Sequence, residues 1–135
     1  MKFHVQRQIT VAIENQPGRL AEISRALAER GINIKDLSIL DNVEQGVIRL
    51  VTSYPPGCKT ALAQHGLQVV EADVLVIDLP DTPGSLAVLS QALADAGVNI
   101  DYAYGSEDSN EQRMRIVMKA SPIARACEVV KAMEA

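Results

Sequence analysis

Pro17-Gly18-Arg19-Leu20-Ala21, followed by Gly31-Ile32-Asn33-Ile34, recurs 66 residues later as Pro83-Gly84-Ser85-Leu86-Ala87 followed by Gly97-Val98-Asn99-Ile100. Between these blocks Ser24, Ala26, Leu27 and Ala28 meet Ser90, Ala92, Leu93 and Ala94. Kept without a gap, the same offset sets Arg49 on Arg115 and Pro56 on Pro122. A register held this long marks an internal duplication, which is read first because it decides how the chain divides. The expected division is 1–71 and 72–135.

Each copy reads as strand, helix, strand, strand, helix. Ile9, Val11 and Ile13 alternate with polar or small residues, and so do Leu75, Ile77 and Leu79. That is the period of a half-buried strand. Pro17 and Pro83 suit the first position of a helix, and Thr82 suits a cap. Leu20, Ile23 and Leu27 then recur at helical spacing, as do Leu86, Leu89 and Leu93. Gly31 and Gly97 stand where a helix stops in a left-handed residue. Second strands are expected near 33–40 and 99–105, and third strands near 46–53 and 112–119. Asp41–Gln45 and Glu107–Glu111 read as turns. Second helices are expected at the prolines, near 56–65 and 122–133.

A fourth strand begins near Leu67 and runs without Gly or Pro into the first strand of the second copy, ending near Leu79. No flexible linker separates the copies. The second copy lacks its own last strand, because Ala135 falls where that strand would begin. Its sheet edge is then open, or covered by another chain or by the long N-terminal strand. The whole reads as an α+β chain of two ferredoxin-like (βαββαβ) units with antiparallel sheets, the second short of its last strand.

Composition narrows the function. The chain has 135 residues, 47% of them hydrophobic, with a formal net charge of -4. It is long enough for a compact core. An acidic chain with scattered Lys and Arg gains little from counterion release, so nucleic acid is not an expected partner. The start, Met1–Gln8, has no apolar stretch of signal-peptide kind. No run approaches the roughly 18 apolar residues of a membrane helix. Cys58 and Cys127 form no CxxC pair, which suits a reducing, cytoplasmic setting.

The loops carry a family resemblance. Glu14-Asn15-Gln16-Pro17-Gly18-Arg19-Leu20 with Gly31-Ile32-Asn33-Ile34 strongly resembles the ACT domain, the small regulatory module of amino-acid metabolism. Asp81-Thr82-Pro83-Gly84-Ser85-Leu86 with Gly97-Val98-Asn99-Ile100 looks like a second one. The resemblance covers nearly the whole chain. It implies a non-catalytic regulator that binds a small amino acid where ACT units meet, without cofactor or metal, and forms a homodimer. It also implies ligand residues in two places. One is the loop after the first strand: Asn15, Gln16, Pro17, Gly18, Arg19 and Leu20 in one copy, Asp81, Thr82, Pro83, Gly84, Ser85 and Leu86 in the other. The second is the start of the second strand: Asn33 and Ile34, Asn99 and Ile100. Serine-sensing members carry a histidine where Ile13 and Leu79 stand, and Asp81 replaces the asparagine matched by Asn15. The two sites are therefore not expected to be equivalent, and serine is not the expected ligand.

Residue chemistry agrees with such a site. Unpaired N–H groups at a helix start favour a carboxylate. Gly18 and Gly84 remove the Cβ that would block close approach. An Asn offers a carbonyl to an ammonium and an NH2 to a carboxylate, whereas Asp81 offers acceptors only. Each residue also has a plainer reading. Asn15, Asp81, Asn33 and Asn99 serve tight loops equally well. Arg49 and Arg115 fit an ion-paired sheet face, and Tyr102 and Tyr104 fit packing or an interface.

Enzymatic readings find little support. His4 and His65 share no repeat position, and no metal-ligand spacing or phosphate-binding glycine loop is present. Asp41 and Glu44 fall in a turn. Cys58, in the first turn of a helix, reads as a plain surface thiol. The rival to ligand binding is a regulatory subunit that docks an amino-acid biosynthetic enzyme, acetolactate synthase-like, and binds no ligand of its own.

Overall fold

The structure, a computed structural model, describes residues 1–14, 16–41, 45–108 and 110–134. The elements are β1 (Lys2–Ile13), α1 (Arg19–Ala28), β2 (Ile34–Asp41), β3 (Gly46–Thr52), α2 (Pro55–Gln64), β4 (Val69–Pro80), α3 (Ser85–Asp95), β5 (Asn99–Asp108), β6 (Arg113–Ser121) and α4 (Ile123–Glu134). Two ferredoxin-like units result, as the alternating strands and the duplicated loops predict.

The chain divides into Arg7–Ala72 and a second unit made of Met1–Gln6 with Asp73–Ala135. Both long strands, β1 and β4, therefore serve two units. In the first unit the sheet order is β2-β3-β1-β4, using the later half of β1 and the start of β4. In the second it is β5-β6-β4-β1, with the first residues of β1 at the edge. Residues 1–6 thus stand in the fourth-strand place of the second unit's sheet. Met1 and Phe3 pack against that unit's core, and the Phe3 N–H donates to Glu134 Oε1 at 3.1 Å. This division differs from 1–71 and 72–135 in where residues 1–6 and Ala72 belong.

Each core lies between one sheet face and two helices. Ile9, Val11, Ile48 and Leu50 meet Ile23, Leu27, Cys58 and Leu62 in the first unit. Leu75, Ile77, Ile116 and Met118 meet Leu89, Leu93, Ala126 and Val130 in the second. Alternation puts every second strand residue on the helix side, and the i, i+4 spacing of Ile23 with Leu27 and Leu89 with Leu93 puts each helix's apolar stripe on it.

The gapless repeat fails past the second hairpin. Ile9 pairs with Leu50 and Val11 with Ile48, whereas Leu75 pairs with Met118 and Ile77 with Ile116. Beyond the hairpin the equivalence is therefore Leu50 with Met118 and Cys58 with Ala126, two residues longer than 66. The cause is one added cross-strand pair: β2 closes on β3 at Asp41 and Gly46, whereas β5 and β6 extend beyond Glu107 and Met114 to Asp108 and Arg113. Arg49 therefore corresponds to Val117, and not to Arg115. A slip of two keeps every side chain on its face, which hides it from periodicity. For the same reason Glu107 and Asp108, expected in a turn, are strand residues.

Local expectations need three more corrections. Pro17 and Pro83 lie in the turn before each helix; Gly18 and Gly84 are the N-caps, with φ +92° at both. A backbone there is strained for any residue with a Cβ. Thr82 does not cap α3 but shares a 2.9 Å hydrogen bond with the Ser85 hydroxyl. Cys58 is fully buried, because the buried stripe of α2 is Cys58, Ala61 and Leu62. Burial pushes its thiol up to about 11, despite the Thr52 hydroxyl beside it, which has no partner at hydrogen-bond geometry. Gly31 and Gly97 do end their helices at positive φ, as expected. Asn42–Glu44 in the first hairpin lie outside the described residues.

Candidate functional site

The loop after β1 is a tight turn. The Gln16 N–H donates to the Glu14 carbonyl at 2.9 Å, and the Arg19 N–H to the Gln16 carbonyl at 3.2 Å. The Gln16 amide also donates to Glu14 Oε2, and Arg19 reaches Glu22 at 3.4 Å. Asn15 lies outside the described residues. Leu20 is half-buried against the first core. A Cβ built on Gly18 or Gly84 meets nothing within 4 Å. Within the protein these glycines are required by backbone conformation, and the space over each helix start is open.

In the second unit the Asp81 N–H donates to the Gln112 carbonyl at 2.9 Å, tying the loop to the β5–β6 hairpin. Gln112 itself has φ +53°, a left-handed conformation that is costly for a residue with a side chain. Pro83 and Gly84 are exposed, and Leu86 is 45% exposed. Next to this loop, Asp78, Glu107 and Arg115 help line a recess of about 320 Å³.

The starts of β2 and β5 are differently employed. The Asn33 backbone exchanges hydrogen bonds with Ser53, leaving its side chain exposed. Asn99 donates to Asp101 Oδ1 at 2.9 Å. Ile34 and Ile100 are half-buried against their cores.

Register shows which of these residues one unit brings together. Ile13, which leads into the loop, pairs with Gly46, while Ile34 pairs with Thr52. Six residues of strand, about 20 Å, separate those ends. Leu79 and Asn99 likewise pair with Met114 and Ser121, at opposite ends of β6. Within a single unit the two halves of the expected site do not meet.

The family model for an ACT domain pair matches residues 4–134. The chain belongs to the ACT domain pair family. Among solved structures it is similar to the protein BT0572 from Bacteroides thetaiotaomicron, with 31% identity, TM-score 0.90, and coverage of 98% of this chain and 90% of that one. It shares the fold of the regulatory subunit of aspartate kinase from Thermus thermophilus (24% identity, TM-score 0.68, 96% of this chain and 95% of that one). The Thermus flavus subunit gives 24% identity and TM-score 0.65, over 97% and 94% of the two chains. No curated protein matches the sequence. ACT domains are regulatory modules, and this chain carries a pair of them. Among the described residues no group of three or more His, Cys, Asp or Glu could hold a metal ion. No described helix is long and apolar enough to cross a membrane.

Two carboxylates in the second unit of the ACT pair depart from ordinary behaviour. Asp101 is held down at about 2 by Lys119 at 2.8 Å, with Ser121 and Asn99 adding hydrogen bonds. Asn99 is thereby part of a strand-start network. Glu107 is pushed up, because the Asp81 carboxylate faces it. Sequence reading missed this pair because it placed Glu107 in a turn; the Leu79–Met114 register is what carries Glu107 to Asp81. A carboxyl group with a raised folded-state pKa opposes folding once it ionises, so stability falls as pH rises through that range. Glu107→Gln should therefore raise the unfolding midpoint at pH 7. The difference from wild type should narrow as pH is lowered toward about 4, below the ordinary glutamate value, where Glu107 is mostly protonated whether folded or unfolded. Thermal melts from pH 4 to 8 check this; a pH-independent difference would contradict it.

Proposed function

We propose that the protein is a non-catalytic regulator that binds a small amino acid at the starts of α1 and α3, each site completed by the β2 or β5 start of a second chain. The observation that supports this most is the separation of the two half-sites along each sheet. It requires the second half to come from elsewhere.

A homodimer supplies it in the first unit. β2 is an edge strand, and Leu37, Ile39 and Leu40 on it are 40%, 44% and 51% exposed. The matching β5 residues are Ala103, Gly105 and Ser106. An apolar edge with unused backbone groups pairs readily with another strand. Antiparallel pairing of two β2 strands sets the Asn33 end of one chain against the Asp41 end of the other. That end lies two strands, about 10 Å, from the loop of residues 14–18. The ligand carboxylate then faces the open N–H groups of α1, and Asn33 of the second chain takes the ammonium. In the second unit Asp81 and Glu107 add negative charge and favour a cationic group.

The experiment is thermal unfolding with each of the twenty amino acids at millimolar concentration. A ligand at about 100 times its dissociation constant adds roughly 2.7 kcal/mol, which should raise the midpoint by roughly 5–10 °C. Asn33→Ala should abolish the shift without moving the unliganded midpoint, since its side chain is exposed. A flat response to all twenty would defeat ligand binding. The second reading, docking to an amino-acid biosynthetic enzyme such as an acetolactate synthase, would then lead. It draws on the likeness of fold to the Thermus regulatory subunits of aspartate kinase.

A further inference from the structure

Both units lay two helices on the same kind of sheet, so each is a control for the other. In the first unit two polar contacts join α1 to α2. The Glu22 carboxylate lies 3.7 Å from His65 Nδ1, and Arg30 donates to the Gln64 amide oxygen. Helix α1 corresponds to α3 at an offset of 66, and the strand register sets α2 on α4 two residues further. On that alignment Glu22 and His65 become Val88 and Met133, and Arg30 and Gln64 become Ala96 and Ala132. Both partners of both contacts are exchanged for apolar residues. Among the described residues no hydrogen bond or ion pair crosses from α3 to α4. A recess of about 380 Å³ lies there, its apolar lining including Ala92, Ala96, Val129 and Met133. Val88, one turn before Ala92 on the same ridge, is 62% exposed. Losing one partner of a contact leaves an orphaned polar group. Exchanging all four makes a face fit to be covered.

We propose that the α3–α4 face is a self-association surface on which a second copy of the chain packs about a two-fold axis. The rim supports this occupant. Arg125 borders the recess with Asp95 and Glu128. Among the described residues it pairs only with Glu128, three residues along its own helix, and the two side chains are 51% and 66% exposed. A two-fold rotation lays each rim on its own copy, so Arg125 of one chain meets an acidic group of the other. The alanines let the helices approach closely. The contact is small. Helices of 11 and 12 residues are about 17 Å long, and two side by side are about 20 Å wide. Some 700 Å² in total would be buried, roughly half of a standard interface. The association is therefore weak and set by concentration. It does not depend on ligand binding or on β2 pairing.

Sedimentation velocity of the full chain from about 10 µM to 1 mM tests it. The sedimentation coefficient should rise with concentration. It should stay flat when Val88→Glu, Met133→His, Ala96→Arg and Ala132→Gln, which install the contacts the first unit already holds on this scaffold, are added to a Leu37→Lys chain that cannot pair through β2. Leu37→Lys should keep this step, which separates it from any pairing through β2. If the fourfold variant fails to fold by circular dichroism, the charge pair decides. Arg125→Glu should weaken association about tenfold, and adding Glu128→Arg should restore it. A wild-type chain that stays at one size to 1 mM overturns the proposal. So does an association that the fourfold variant retains, or, where that variant does not fold, one that Arg125→Glu leaves unchanged.

Discussion

Removing residues 1–6 should destabilise the second unit by about 4 kcal/mol, although those residues are far from it in sequence. Phe3 and Met1 pack against the core built on Leu75, Ile77, Ile116 and Met118. Burying a large apolar side chain contributes about 1.5–3 kcal/mol. The ladder bonds along β4 add roughly 0.5–1.5 kcal/mol each, and the Phe3 N–H to Glu134 bond goes as well. Hydrogen exchange is the measurement. Amides of β6 and α4 should lose protection, while those of β3 and α2 keep theirs, because Arg7–Ile13 still serves the first sheet. Phe3→Ala should reproduce part of the loss, about 1.5–3 kcal/mol. Unchanged protection in β6 and α4 would mean that residues 1–6 are not the fourth strand.

Gly105→Ala should cost about 3 kcal/mol, and the midpoint should fall by roughly 10 °C. A Cβ there would stand 2.5 Å from the Arg115 carbonyl oxygen and 3.3 Å from Ile116 Cα. Those obstacles are backbone in the paired strand, opposite Gly105 in register, and cannot rotate aside. β5 must move away and weaken its ladder with β6. Gly57→Ala is the contrast. Its near atoms belong to the side chains of Tyr54 and Ile32, and Tyr54 is 59% exposed and free to yield. Denaturant unfolding of both variants should show the larger loss for Gly105. Equal losses would mean that β5 shifts without cost.

What could be read from residues alone follows from how local each signal is. The duplicated Pro-Gly and Gly-x-Asn blocks and the alternation of Ile9, Val11 and Ile13 depend only on neighbours, so the two ferredoxin-like units were legible. The extra hairpin pair was not, because a shift of two preserves the alternation. Cys58 was misplaced because one residue in a helical turn does not reveal which face is buried. The Asp81–Glu107 pair requires knowing which strand lies beside β4. The separation of Asn33 from residues 14–18 becomes visible only when strand direction and register are both known. Neither is written in a loop motif.

The sharing of β1 between units has a consequence for synthesis. Met1–Gln6 is made before the rest of the second unit, and the core it joins is completed only by residues out to α4. At about 5–20 residues per second that wait lasts roughly 6–25 s. During it half of β1 has its first-unit neighbours within reach and the other half has none, an apolar edge open to other chains. The second unit cannot close as residues 73–135 emerge; it must recover a piece made before the whole first unit. Contacts of such long sequence separation form slowly. In a newly made chain the first unit is therefore the early structure, and residues 1–6, still without their partners, are where a chaperone, or a neighbouring nascent chain, would bind.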